Sequence, residues 1–213
     1  MTTNTITDPR RFGPSPETEA LFGPDDPRVI FSKAVALAGA VIGATRSDQL
    51  DNRTPCRDFR VRDLLGHLVL AVEHVAAVGR GQDPYGGPVV VRDVPDDGWL
   101  RAWIDAAHEA RAAWSDDATL ARIVQLPWVE QSGAATLAGY VNEVTVHTWD
   151  LATATGRRPE WNSRVLEVAF DAIRQVLPAE GRGDRGAPFA DAVEVPADAP
   201  LIDRLVAWNG RRP

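Results

Sequence analysis

Apolar side chains recur at three- and four-residue steps in five stretches of the chain, the period of helices that turn one face toward a core. Val29, Ile30, Val35, Leu37, Val41 and Ile42 predict a first helix over 28–45. Asp25-Asp26-Pro27 opens it, with an acid at the N-cap and proline at the first helical position. Gly39 and Gly43 weaken that helix locally and leave room for a close neighbour. A second helix over 61–78 is marked by Leu64, Leu68, Ala71, Val75 and Val78, with Asp63 in the first turn and Gly79-Arg80-Gly81 at the stop. Leu100, Trp103, Ile104, Ala107, Ala110 and Trp114 predict a third over 98–115. A fourth covers 134–155 and stops at Gly156, and a fifth covers 163–177.

Between these helices the pattern changes. Residues 1–24 are rich in Thr, Pro and Gly without periodicity and read as a flexible leader, in which Phe12, Leu21 and Phe22 are the groups able to dock. The helical domain then runs over 25–213. Thr54-Pro55-Cys56-Arg57-Asp58-Phe59 reads as a turn, and 80–96 as a Gly/Pro-rich loop. The stretch 121–129 carries β-branched residues and a proline, which fits a short β excursion or hairpin between the third and fourth helices. Beyond 182 come Gly183, Gly186 and Pro188, a possible strand over 192–196 and a short helix over 199–208. Long amphipathic helices joined by modest loops predict an all-α fold, mainly a four-helix bundle, with a small C-terminal extension.

Composition narrows the function. The chain of 213 residues is long enough for a sizeable core, and 44% hydrophobic with 25% charged residues is ordinary for a globular protein. A net charge of -7 argues against a nucleic-acid partner, and no apolar run approaches the roughly 20 residues that cross a bilayer. With one cysteine, Cys56, and no basic-then-apolar N-terminal signal, a cytoplasmic location is expected. The remaining partner class is a small molecule.

The fourth helix holds the chemistry. Glu143 and His147 are four apart and share a face, Asp150 falls between them at 100° per residue, and Leu137, Tyr140, Val144 and Leu151 make the surrounding stripe apolar. His67 lies in the second helix, flanking its stripe. Spacing alone also fits a surface ion pair or a core histidine with a local partner. Polar groups on two apolar faces need a shared explanation, however, because burial costs free energy unless they are paired or bound to a metal. Two histidines and one carboxylate, His67, Glu143 and His147, would make a three-ligand site with a position left for water or substrate. Imidazole and carboxylate suit Zn²⁺ as the default, with Ni²⁺ or Fe²⁺ as alternatives. Asp150 could orient the second nitrogen of His67, act as a base, or pair with one of many arginines. Asp63 fits a dipole or capping role, His74 and His108 a surface or rim position, and Cys56 a small apolar side chain. Trp128 and Trp149 could wall a pocket, while Trp103 and Trp114 fit the core.

Three stretches taken together resemble a known family. They are Thr54-Pro55-Cys56 with Val61-Arg62-Asp63-Leu64-Leu65-Gly66-His67-Leu68-Val69; Glu143-x3-His147-Thr148-Trp149-Asp150-Leu151-Ala152 with Thr155-Gly156; and Phe189 to Val195, Pro196-Ala197-Asp198-Ala199-Pro200 and Asp203-Arg204-Leu205, running to Gly210-Arg211-Arg212-Pro213. In this order they resemble the DinB-like metal-binding proteins related to the N-terminal domain of mycothiol-dependent maleylpyruvate isomerase, over about residues 28–213. The resemblance implies an up-down-down-up four-helix bundle, a metal held by His67, Glu143 and His147, a homodimer, and chemistry with a small thiol such as mycothiol as co-substrate. The isomerase's separate C-terminal domain is not evident after the fifth helix, which puts isomerisation itself in doubt. The leading expectation is a metal-dependent thiol S-transferase. A metal-dependent hydrolase or isomerase without thiol, and a non-catalytic metal or small-ligand binding protein, are the alternatives.

Overall fold

Helix α2 (Pro27–Gly43) shows how closely local chemistry sets the architecture. The Asp26 carboxylate accepts from the Arg28 N–H at 2.8 Å, Pro27 occupies the first turn, and the residues from Val29 to Ile42 are buried almost all round. The computed structural model describes residues 13–14, 16–182 and 190–213. Among these, eight α-helices and one two-stranded sheet form a mainly helical protein. Its frame is α2, α3 (Val61–Gly79), α4 (Trp99–Ala113) and α6 (Gly133–Ala154). The principal contacts run α2–α6, α6–α3, α3–α4 and α4–α2, which closes a ring of four helices. Helix α7 (Ser163–Val176) lies against α6 and α2, and α8 (Leu201–Trp208) against α7 and α6.

The core inside that ring is built from Val35, Leu64, Leu68, Val72, Trp103, Leu137, Val144 and Leu151, all close to fully buried. Two of its three buried indoles are also paired: Trp103 donates to the Val35 carbonyl at 3.2 Å and Trp114 to the Val75 carbonyl at 2.8 Å, while the Trp99 N–H has no partner among the described residues. Both bonds tie α4 to a neighbouring helix through groups that would otherwise be desolvated without a partner. No helix among the described residues is long and apolar enough to cross a membrane.

The predicted β excursion is present between the third and fourth bundle helices. Strands β1 (Ile123–Leu126) and β2 (Val129–Ser132) pair antiparallel, Leu126 opposite Val129, with Pro127 and Trp128 at the turn. The Ser132 hydroxyl that ends β2 then accepts from the Ala135 N–H at 3.2 Å and caps α6.

Three local expectations change. Pro16–Phe22 is a short helix, α1, rather than part of an unpatterned leader; Arg28 lies 3.8 Å over the Phe22 ring and Lys33 pairs with Glu19. Phe12 lies outside the described residues, as do Gly183, Gly186, Pro188 and Phe189. Helix α5 (Asp117–Ala121), capped by the Asp116 side chain, precedes the hairpin where no element was predicted. Residues 192–196 form no strand, and among the described residues no strand lies alongside them. The Ala192 N–H bonds to the Ala179 carbonyl and the Val193 N–H to the Ala207 carbonyl at the end of α8.

Candidate metal centre

The face that α6 turns toward α3 carries Tyr140, Glu143, His147 and Asp150, and α3 answers with His67. One oxygen of Glu143 receives both imidazoles: His67 Nε2 is 2.9 Å from it and His147 Nε2 is 3.3 Å from it. The two rings meet edge to face with centroids 4.8 Å apart. One donor atom from each of the three residues lies within 4.8 Å of the other two. His147 is 6% exposed, whereas His67 and Glu143 are only half-buried, so the cluster opens to solvent on their side.

The outer nitrogens fix which atoms point inward. His67 Nδ1 lies 2.8 Å from the Val89 carbonyl, which can only accept, so this nitrogen carries the hydrogen. His147 Nδ1 lies 3.0 Å from the Asp150 carboxylate and is a donor for the same reason. In the neutral rings both Nε2 lone pairs then face the Glu143 oxygen. Two lone pairs and a carboxylate oxygen repel one another unless positive charge sits between them, as protons or a metal ion. The donor set therefore fits a divalent cation with room for an exogenous ligand.

Titration follows the same geometry. Burial alone would raise the Glu143 carboxyl, but the charge of His147 and the hydrogen bonds from both imidazoles hold it well below the usual carboxylate range. Burial opposes charge on His147 too, yet Glu143 and Asp150 bring it up to about 9. Asp150 is fully buried and still lowered, against its own desolvation, by His147 and by Arg211. The Arg211 guanidinium donates to both Asp150 oxygens, at 2.9 and 3.3 Å.

Asp150 therefore orients His147, not His67. The nitrogen of His67 expected to face it is taken by Val89, on the loop that crosses α3 at Gly66. A methyl group at Gly66 would run into the Val91 carbonyl, and the Val91 N–H bonds to the Gly66 carbonyl at 3.2 Å. Only a glycine lets the loop come close enough to hold His67.

Other residues resolve individually. Asp63 accepts from the Arg60 N–H at 3.2 Å in the first turn of α3. His108 is exposed. His74 is half-buried with its ring 5.5 Å from Tyr85. Trp128 is 64% exposed at the hairpin tip, its ring 5.0 Å from Tyr85. Trp149 is two positions from His147 and so on the far side of α6, where it packs on the core.

Three groups lie at the centre that the sequence pattern does not place there, Cys56 being expected as a small apolar side chain. Cys56 has its sulfur within 4.8 Å of donor atoms of His147 and Asp150, and burial pushes its thiol up to about 11. Arg211 is one arginine among many in the sequence. Val89 contributes only a backbone carbonyl.

Comparison with known proteins gives a family. A profile of the mycothiol maleylpyruvate isomerase N-terminal domain matches residues 31–152, more than half of the chain. That span contains α3, α4, the hairpin and nearly all of α6, and with them all three metal-ligand candidates. Two uncharacterised proteins of Mycobacterium tuberculosis, from strains CDC 1551 / Oshkosh and ATCC 25618 / H37Rv, are each 29% identical over 186 residues, covering 87% of this chain and 98% of the relative. No solved structure matches the chain.

Proposed function

The chain belongs to the mycothiol maleylpyruvate isomerase N-terminal domain family, and from that premise we propose that it is a metal-dependent enzyme transferring a small thiol to an electrophilic molecule. The observation that carries this reading is the convergence of two imidazole Nε2 atoms on one carboxylate oxygen, with both outer nitrogens already tied down. His67 Nε2, His147 Nε2 and Glu143 would hold the ion, Zn²⁺ before Ni²⁺ or Fe²⁺. When bound, such an ion lowers the pKa of a thiol and keeps the thiolate beside its electrophile.

The chain's own residues do the rest. Half-exposed His67 and Glu143 leave a solvent-facing side for ligand entry. Asp150, with both oxygens engaged by His147 and Arg211, fixes the imidazole rather than abstracting a proton from substrate. Burial pushes the Cys56 thiol up, and the reacting sulfur in this reading is that of a co-substrate, mycothiol being the one the family name suggests. In the transfer, the thiol proton leaves to solvent, a sulfur–carbon bond forms, and the electrons displaced from the electrophile go to its leaving group or to a neighbouring atom.

Elemental analysis of the wild type beside His147→Ala tests the metal. About one ion per chain in the first and almost none in the second is expected. Electrophiles are then screened with and without added thiol. Undiminished transfer by metal-free protein would remove this mechanism. Turnover without thiol would point to a hydrolase or isomerase, and stoichiometric binding without turnover to a binding protein.

A further inference from the structure

Above the candidate metal centre sits a second polar pair that the proposed chemistry does not use. Tyr140 is on α6, one turn before Glu143 and two before His147, so its side chain leaves the helix on nearly the same face. At 1.5 Å per residue it stands about 4.5 Å along the axis from Glu143. Its hydroxyl lies 2.7 Å from that of Tyr85, which comes from the α3–α4 loop. The Tyr85 ring is held between Trp128 and His74, with centroids 5.0 and 5.5 Å away and both contacts edge to face. His74 is seven residues after His67 and shares its face of α3. A line of side chains thus runs from exposed Trp128, past Tyr85 and Tyr140, to Glu143 and His67.

Two phenols make one hydrogen bond between them and own two protons, so one O–H is left over. Neither hydroxyl has another partner among the described residues. Burial pushes both phenols upward, so both stay protonated, and the Glu143 carboxylate is the charge that acts on both.

We propose that the Tyr85–Tyr140 hydroxyl pair is a hydrogen-bond donor site for a negatively charged oxygen, a carboxylate or enolate, of the molecule bound at the metal. The inference rests on the metal reading given above. The outer hydroxyl donates to the ligand oxygen while the inner one donates to the outer, which strengthens it. The site therefore selects ligands with an anionic oxygen near the atom that meets the metal, and the electrophile of the transfer reaction is of that class.

The test uses Co²⁺-loaded protein and its visible absorption, with acetate and ethanethiol as probes. Tyr85→Phe/Tyr140→Phe is expected to take up as much Co²⁺ as wild type but to bind acetate roughly tenfold to a hundredfold more weakly, the loss of one charge-assisted hydrogen bond. Ethanethiol, which has no oxygen, binds both proteins alike. Equal acetate affinity at full Co²⁺ content would overturn the donor site and leave the metal centre standing. An equal loss for ethanethiol would also overturn it, since the effect would then not concern oxygen. Wild type that takes up no Co²⁺ would remove the metal reading and this one with it. If the double variant does not fold, Tyr85→Phe, in a loop, carries the same comparison against wild type.

Discussion

Helix α6 presents two buried polar clusters, and they are built on opposite principles. Asn142 meets Asn209 of the C-terminal segment in a reciprocal amide pair: each NH₂ donates to the other's carbonyl, at 3.0 and 3.3 Å, and Asn209 donates again to the Leu205 carbonyl. Those groups are neutral, 3% and 1% exposed, and satisfied by one another. Toward α3, Glu143, His67 and His147 are partly open and arranged so that three atoms able to ligate a metal converge and need protons or a cation between them. A closed neutral pair fastens one segment to another. A convergent, incompletely compensated set is a place to put something, and that difference separates attachment from function within a single helix.

The largest break in the comparison comes from Glu143→Gln. Zn²⁺ at a thousandfold excess over its dissociation constant stabilises a binding-competent protein by about 4 kcal/mol. For a chain of this size that is a rise of about 10 °C in Tm. Wild type should show that rise by calorimetry, and Glu143→Gln should show almost none. A similar rise in the variant would detach the carboxylate from the metal.

Asn209→Ala should do the reverse. It strands the buried Asn142 amide and should lower stability by about 2 kcal/mol in urea titrations, while Zn²⁺ uptake per chain stays the same. Loss of metal in this variant would show that the two clusters are coupled.

Asp150→Asn sharpens the picture inside the functional cluster. An amide can offer its NH₂ to His147 Nδ1, which favours the wrong tautomer, and it leaves Arg211 without its anion. Metal affinity should fall roughly tenfold to hundredfold, as measured by competition with a chelator, in a protein that remains folded.

The smallest effect belongs to a polar group outside both clusters. Asp26 caps α2 and is held below the ordinary carboxylate range, chiefly by the Arg28 side chain. Because its folded pKa lies below the unfolded one, its contribution is fully present above the unfolded value, near about 3.9, and is lost as pH falls through the folded value. Asp26→Ala should cost about 1 kcal/mol at pH 7, and the gap from wild type should close below about pH 4. A gap that persisted in acid would mean that the carboxylate's charge is not what caps the helix.

The bundle helices were legible because burial in a helix is written at a spacing of three and four residues. The stripes of 61–78 and 134–155 match α3 and α6 to within a residue or two at each end. The hairpin was legible from its β-branched run, although its second strand extends past the predicted stretch. Helix α5 is too short for a periodic stripe, and 192–196 resembles a strand in composition while its backbone bonds, among the described residues, to a loop and the end of α8.

The amino-acid sequence by itself determined that Glu143 and His147 would share a helical face with Asp150, because residues three and four apart are neighbours on any helix. With a second apolar helix carrying His67, that was enough to name the three convergent side chains. Only the tertiary structure decided what holds them. Val89 reaches His67 through a loop that closes over Gly66, Arg211 returns from the C-terminus to Asp150, and Cys56 and Tyr85 arrive from turns. Those partners lie tens of residues away, on segments whose paths follow from how the helices pack rather than from any local period, so no spacing rule could have named them.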